Sequence, residues 1–353
     1  MIHIVKFSGG KDSLATLVAT ILAVKATQQG DIRIVFCDTG WEHPDTYAYL
    51  TYIEEKVGIP IITVRNPKYP KGMPDLVRAR KRFPALKARF CTDELKVRPG
   101  IDYVLSQQDD VTVYQGVRAD ESPSRAMLKR EDEYFRYYFE PVKYRSTYQK
   151  QIKALLLRIG KSKAVAGQVD FEGVDLHEEL RRLQQLHELH KKPVYHSYRT
   201  KEVKAWCEQY TADVVRPVLR WTAEEVISYC INQGYKLNPL YYRGAKRVGC
   251  YPCINSRLSE VAYIAENDPW RIDEIDELEQ EVGSGSAFFS NDKIPKAHHT
   301  SQWASKKDPA KTNSVNYIHD VVRYAQGNKD QAELLDKATV AGCISHYNIC
   351  EKA

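Results

Sequence analysis

The chain has 353 residues, 43% of them hydrophobic and 28% charged, enough for one large α/β domain with additions, or for two domains, without staples to replace a core. A mean hydropathy of −0.51 and the lack of any long apolar run exclude a membrane span. The opening Met1-Ile2-His3-Ile4-Val5 carries no export signal, so the eight cysteines suggest reduced thiols, metal ligation or catalysis in the cytoplasm rather than a disulfide framework, and a formal charge of +6 suits a phosphate-bearing partner without establishing nucleic-acid binding.

In chain order, Ile2 to Phe7 reads as a short buried strand, followed by the glycine loop Ser8-Gly9-Gly10-Lys11-Asp12-Ser13 and by Leu14 to Lys25, apolar on every turn as in a helix laid on a sheet. Ile32 to Cys37 is a second strand, Asp45 to Val57 a helix, Ile61 to Val64 a third strand and Val111 to Gly116 a later one. This alternation predicts a parallel twisted sheet with helices on both faces. Lys68 to Pro99 is the most basic stretch, with Arg78, Arg80, Lys81, Arg82, Lys87, Arg89, Lys96 and Arg98 among prolines and aromatics in mixed loop and helix. Gln149 to Lys192 reads as one or two inserted amphipathic helices before the core resumes around Val214 to Pro217. Trp221 to Gln233 follows as a helix capped by Thr222, then Ser259 to Val282 as one acidic helix ended by Gly283, its carboxylates from Asp268 to Glu281 forming a solvated face. His187, His190, His196, His298 and His299 read as solvent-exposed. The expected divisions are a nucleotide-binding core at 1–148, a helical insertion at 149–212, the rest of the core at 213–258 and a helical C-terminal region at 259–353.

A glycine loop between a buried strand and a helix lets backbone N–H groups approach an anion, and the helix N-terminus adds partial positive charge. Lys11 and the hydroxyls of Ser8 and Ser13 add donors. The loop fits neither Gly-x-x-x-x-Gly-Lys-Ser/Thr nor Gly-x-Gly-x-x-Gly. It resembles the pyrophosphate loop of the PP-loop ATP pyrophosphatase superfamily, of adenine nucleotide alpha hydrolase-like fold, which implies binding ATP, adenylating a substrate and releasing pyrophosphate. Asp12 would then stand near Mg²⁺ or the pyrophosphate.

Within that superfamily, several segments resemble the phosphoadenosine phosphosulfate (PAPS) reductase family: Phe36-Cys37-Asp38-Thr39-Gly40, Arg89-Phe90-Cys91-Thr92-Asp93-Glu94-Leu95-Lys96, Gly116-Val117-Arg118-Ala119-Asp120-Glu121-Ser122, Arg216-Pro217-Val218-Leu219-Arg220-Trp221, Asn238-Pro239-Leu240-Tyr241 and Arg247-Val248-Gly249-Cys250-Tyr251-Pro252-Cys253. The resemblance implies that Asp38, Thr39 and Gly40 border adenosine and that Gly116, Val117 and Arg118 close the opposite side. Arg118, Arg125 and Lys96 suit phosphate or sulfate. Lys11, Asp12, Cys91, Lys96 and Arg118 are the residues expected to take part in the chemistry.

Sulfonucleotide reductases, as a family, lack the Lys-Asp pair in this loop and end in a Glu-Cys-Gly tail, whereas this sequence keeps the pair and ends Tyr347-Asn348-Ile349-Cys350-Glu351-Lys352-Ala353. The pattern is closer to the DndC-like branch of DNA phosphorothioation and kindred phage proteins. That implies ATP activation of an oxygen for displacement, sulfur arriving from a donor protein through a thiolate or an iron–sulfur cluster, and DNA, tRNA or a small molecule as acceptor. The alternatives are a PAPS or APS reductase with Cys350 as mobile nucleophile, and a non-catalytic nucleotide- or DNA-binding regulator.

Cys250-x-x-Cys253 lies in a Gly- and Pro-containing turn that lets two thiolates converge on one metal. Cys343 and Cys350 would supply a second pair, and Cys91, by the family resemblance, faces the nucleotide and competes for a place. Four thiolates suit zinc or a [4Fe-4S] cluster; the resemblance favours iron–sulfur. Cys37, Cys207 and Cys230 read as small buried hydrophobes.

Overall fold

β1 (Ile2–Lys6) lies at the centre of a six-stranded sheet, with β2 (Asp31–Cys37) on one side and β4 (Val111–Gln115) on the other. β3 (Ile61–Val64) follows outside β2, and β8 (Ala212–Val215) outside β4, all four pairings being parallel; β5 (Glu131–Glu133) adds an edge. In this computed structural model the described residues are 1–85, 88–162, 175–283, 285–304 and 312–327. Neighbouring residues of opposite facing, such as Ile4 with Val5 and Ile34 with Val35, are all buried. The sheet is therefore covered on both faces, which is why its strands read as apolar runs rather than alternating ones.

α1 (Lys11–Thr27), α2 (Pro44–Val57) and the helix Ala223–Asn232 share one core with Val5, Phe7, Ile34 and Phe36. Thr222 caps the last of these through a reciprocal capping box with Glu225. A second core joins Trp41 and α3 (Met73–Arg80) to the helices Leu258–Asn267, Pro269–Val282 and Ile318–Gly327.

The single helix expected over Ser259 to Val282 is two, separated at Asp268. Pro269 supplies no N–H and disfavours the helical region in the residue before it; Asp268 sits at φ −135°, ψ 56°. Nor is the acidic run a purely solvated face, because Asp268 and Glu279 are buried.

Residues 133–209 form a separate compact unit. There the helices Gln149–Ser162 and Leu176–His190 pack together, with an antiparallel pair of β6 (Lys143–Arg145) and β7 (Lys192–Val194) and a helix at Thr200–Cys207. His187, expected to be exposed, is half-buried with Nδ1 2.6 Å from Ser146 Oγ. Among the described residues no helix is long and apolar enough to cross a membrane.

Candidate functional site

β1 ends at Lys6 and α1 begins at Lys11, so the loop forms where β2 and β4 diverge on either side of β1. Open parallel sheets bind ligands at such a switch point, beyond the carboxyl ends of the strands. Gly9 has φ +74°, and a Cβ there would meet Thr46 Cγ2 at 2.9 Å, so glycine alone fits. Ser13 Oγ closes the loop, donating to the Gly10 carbonyl at 2.8 Å and accepting from the Ser8 N–H at 3.2 Å. The Lys11 N–H donates to Tyr241 Oη at 3.0 Å, an interaction spanning 230 residues.

The Lys11 and Asp12 side chains meet at 2.9 Å, and the other carboxylate oxygen of Asp12 accepts from Arg118 Nε at 2.6 Å. Arg118 also pairs with Asp120. With side-chain exposures of 3% for Lys11 and 7% for Arg118, two shielded cations share one carboxylate beside the helix N-terminus. Gly116 brings β4 directly onto this loop, since an added Cβ would sit 2.6 Å from the backbone of Asp12 and Ser13. Val117 and Arg118 continue from it. Arg125 is committed to Glu121 rather than to the loop.

At the end of β2, Asp38 is buried and accepts from the Gly40 N–H at 2.8 Å and Tyr47 Oη at 2.9 Å, while pairing with Arg65. Thr39 Oγ1 donates to Glu42 Oε1 at 2.7 Å. Burial pushes the Glu42 carboxyl up from its usual range, with Lys96 and Thr39 opposing that shift. Gly40 packs against Lys71, where a Cβ would lie 2.3 Å from the carbonyl oxygen.

The thiol turn is fastened to this same segment. Tyr251 N donates to the Trp41 carbonyl at 2.7 Å, Trp41 Nε1 donates to the Pro252 carbonyl at 3.1 Å, and Thr39 Oγ1 stands 3.7 Å from Cys250 Sγ. Tyr251 Oη donates to Asp268 at 2.6 Å, and His43 Nε2 lies 3.4 Å from the other oxygen of that carboxylate. Against the cost of burial, these contacts hold the Asp268 carboxyl below its usual range.

Cys250 and Cys253 lie close enough to Cys91 to act on its thiol, Cys253 acts likewise on Cys250, and the Lys96 ammonium interacts with Cys250, Glu42, Cys253 and Cys37. Burial pushes the Cys91 and Cys250 thiols up, while Lys96 pulls Cys250 back. Lys96 thus lies near these thiols. The three thiols share a neighbourhood without a finished ligand geometry: among the described residues, no three His, Cys, Asp or Glu groups converge as a metal site. Cys343 and Cys350 lie outside the described residues. Cys37, expected to be a buried hydrophobe, is only partly buried and has its Sγ 3.5 Å from the Lys96 carbonyl. Cys230 is fully buried, as expected, and Cys207 partly so. His299 is half-buried, 3.0 Å from Ser314 Oγ, in a further departure from the exposed reading.

Glu42, Arg65, Tyr47 and Trp41 complete the site but were not singled out in the sequence. Their signal was position alone, immediately after a strand end bearing Asp38 and Thr39 or close to it in space. Two cavities, of about 600 and 780 Å³, lie at Met1, Gly30, Arg33 and Gly58. That is the amino end of the strands, opposite the loop.

A parallel sheet with a lysine-bearing glycine loop at its switch point defines a nucleotide-binding α/β protein. Residues 2–256 match the phosphoadenosine phosphosulfate reductase domain, and the chain belongs to that family. It is 30% identical to an uncharacterized 37.8 kDa protein in the gpa 5′ region of Escherichia phage 186, over 84% of this chain and 80% of that protein. It is 26% identical to an uncharacterized protein of Methanocaldococcus jannaschii, over 75% of this chain but 38% of the relative. Among solved structures it is similar to the PAPS reductase of Candida auris in its phosphate complex, with TM-score 0.38, 11% identity and coverage of 71% of this chain and 82% of the other. It is also similar to the U34-tRNA thiolase NcsA of Methanococcus maripaludis with its [4Fe-4S] cluster, with TM-score 0.33, 15% identity and coverage of 98% and 76%.

Proposed function

We propose that this chain is an ATP-using, adenylating enzyme that releases pyrophosphate and couples that step to sulfur transfer. The observation carrying this reading is the Lys11–Asp12–Arg118 array, at 2.9 and 2.6 Å, held at the switch point by Gly116. An ATP triphosphate would draw Lys11 and Arg118 away from Asp12, and Mg²⁺ is the divalent ion expected with it. An acceptor oxygen would attack the α-phosphorus while the bond to the bridging oxygen breaks. Lys11, Arg118 and the loop N–H groups would stabilise the departing pyrophosphate. A sulfide-level sulfur from a donor protein would then bond to the acceptor, with AMP leaving and carrying the acceptor's original oxygen.

Cys91, Cys250 and Cys253 are the thiols this reading assigns to sulfur chemistry, with Lys96 favouring the thiolate at Cys250. A [4Fe-4S] cluster, or alternatively zinc, is the group they would hold, and its chemistry would be to carry or activate sulfur. The cytoplasm is the compartment this chemistry suits.

The test is nucleotide analysis after incubating anaerobically purified protein with ATP, Mg²⁺ and candidate acceptors. AMP and pyrophosphate in equal amounts are expected. PAPS-dependent sulfite release without ATP turnover would replace this reading with the reductase one. Iron, sulfide and zinc analysis of the same protein, alongside Cys250→Ser, tests the cofactor assignment.

A further inference from the structure

The chain's excess positive charge is concentrated in one place. Residues 68–99 contain ten Lys and Arg against three Asp and Glu, a net +7 in a chain whose total is +6. Part of it is neutralised locally: Glu94 takes Arg80 and Arg98 at 2.5 and 3.1 Å, and Glu281 takes Arg78 at 2.5 Å. Arg82 and Arg89 are exposed and meet no carboxylate among the described residues. The guanidinium of Arg82 lies 5.3 Å from the centre of the Phe90 ring, next to Cys91. Arg247, also exposed, precedes the thiol turn by three residues.

A cavity of about 270 Å³ opens beside the same segment, lined by Pro84, Ala85, Ile254, Asn255, Asp292 and Lys293. Asn255 is two residues beyond Cys253. Among the described residues its buried Oδ1 has no hydrogen-bond partner, a costly state for an acceptor unless an N–H is supplied to it. Apolar walls at Pro84 and Ile254 with one unsatisfied acceptor suit a planar base edge. The cavity is at the small end for ligand sites, room for one base rather than a whole nucleotide cofactor. The cationic strip continues outside it, as a run of phosphates requires and a free base does not.

We propose that the sulfur acceptor is a single-stranded nucleic acid. Its backbone would cross Arg82, Arg89 and Arg247, and one base would enter the cavity toward Asn255, beside the thiol turn. This rests on the sulfur-transfer reading, whose acceptor it names. Recognition by phosphate contacts along a strip and by an unstacked base in a pocket is the general mode for single strands.

The experiment is fluorescence anisotropy of the full chain with labelled mixed-sequence RNA and DNA 20-mers across a salt series, without ATP. Binding that weakens with salt is expected. Arg82→Ala/Arg89→Ala should lower the slope of log affinity against log salt by about 1.4, at about 0.7 per phosphate on a single strand. Asn255→Leu should leave the slope unchanged and weaken binding at least about fivefold. The stronger of the RNA and DNA arms identifies the strand. Absence of binding at low salt, equal binding of polyglutamate, or a double variant with wild-type slope and affinity would overturn the proposal. Because no ATP is present, the two readings fail separately: pyrophosphate release without strand binding would overturn this inference and leave adenylation standing, whereas strand binding without pyrophosphate release would leave the strand site but remove its role as acceptor.

Discussion

Gly116 has no side chain because the backbone of Asp12 and Ser13 occupies the space a Cβ would need, at 2.6 Å. Gly116→Ala is therefore expected to push β4 and the loop apart locally. Affinity for ATP should fall about tenfold or more, the cost of about 1.4 kcal/mol of misplacement. Isothermal titration with ATP measures this, and far-UV circular dichroism should stay unchanged; wild-type affinity would show that the contact does not position the loop. The glycine loop was legible residue by residue, since strand, glycines, lysine and helix are contiguous. The counter-charge was not: Arg118 reaches Asp12 across 106 residues, and a guanidinium in a sequence does not disclose which carboxylate it will meet. Lys96 shows the same limit. A lysine in a basic stretch reads as a surface cation, and only folding places it among Cys250, Glu42 and Cys253.

Among the elements, Glu279 joins three segments. Its two carboxylate oxygens accept from the Phe288 N–H at 2.7 Å and the Ile318 N–H at 2.8 Å, and burial pushes its pKa up to about 8. In the unfolded chain the carboxyl ionises near 4.5. Between these values the folded state holds the extra proton, so this group's stabilisation is full below about 4.5 and is lost as pH rises toward about 8. The loss amounts to a few kcal/mol. Urea unfolding midpoints across that range should decline for the wild type and stay flatter for Glu279→Gln, which is expected to be the less stable of the two at low pH because its amide turns one donor toward an N–H. Equal slopes would contradict this. Strand boundaries were legible because buried β-branched runs are short and bounded; Ile61–Val64 matches its expected span. The acidic helix was misread for a physical reason: Pro269 breaks it, and two of its carboxylates turn inward to cap neighbouring backbone or meet Tyr251, which charge composition does not reveal.

At the scale of the molecule, the parallel order β3-β2-β1-β4-β8 puts the glycine loop and Gly116 side by side at the carboxyl ends of the strands. The second core brings α3 and the helices Leu258–Asn267, Pro269–Val282 and Ile318–Gly327 around Trp41, which carries the thiol turn. Alternating strands and helices made the sheet legible. The 3.7 Å approach of Thr39 to Cys250, separated by 211 residues, was not, because neither segment marks the other. That approach sets the segment after β2 against the thiol turn. The most direct test of adenylation is exchange of labelled pyrophosphate into ATP by the wild-type chain and by Lys11→Ala, with Mg²⁺ and a single-stranded acceptor present. Acceptor-dependent exchange is expected in the wild type and its loss in the variant; ADP and phosphate as products, or equal exchange in both proteins, would contradict adenylation.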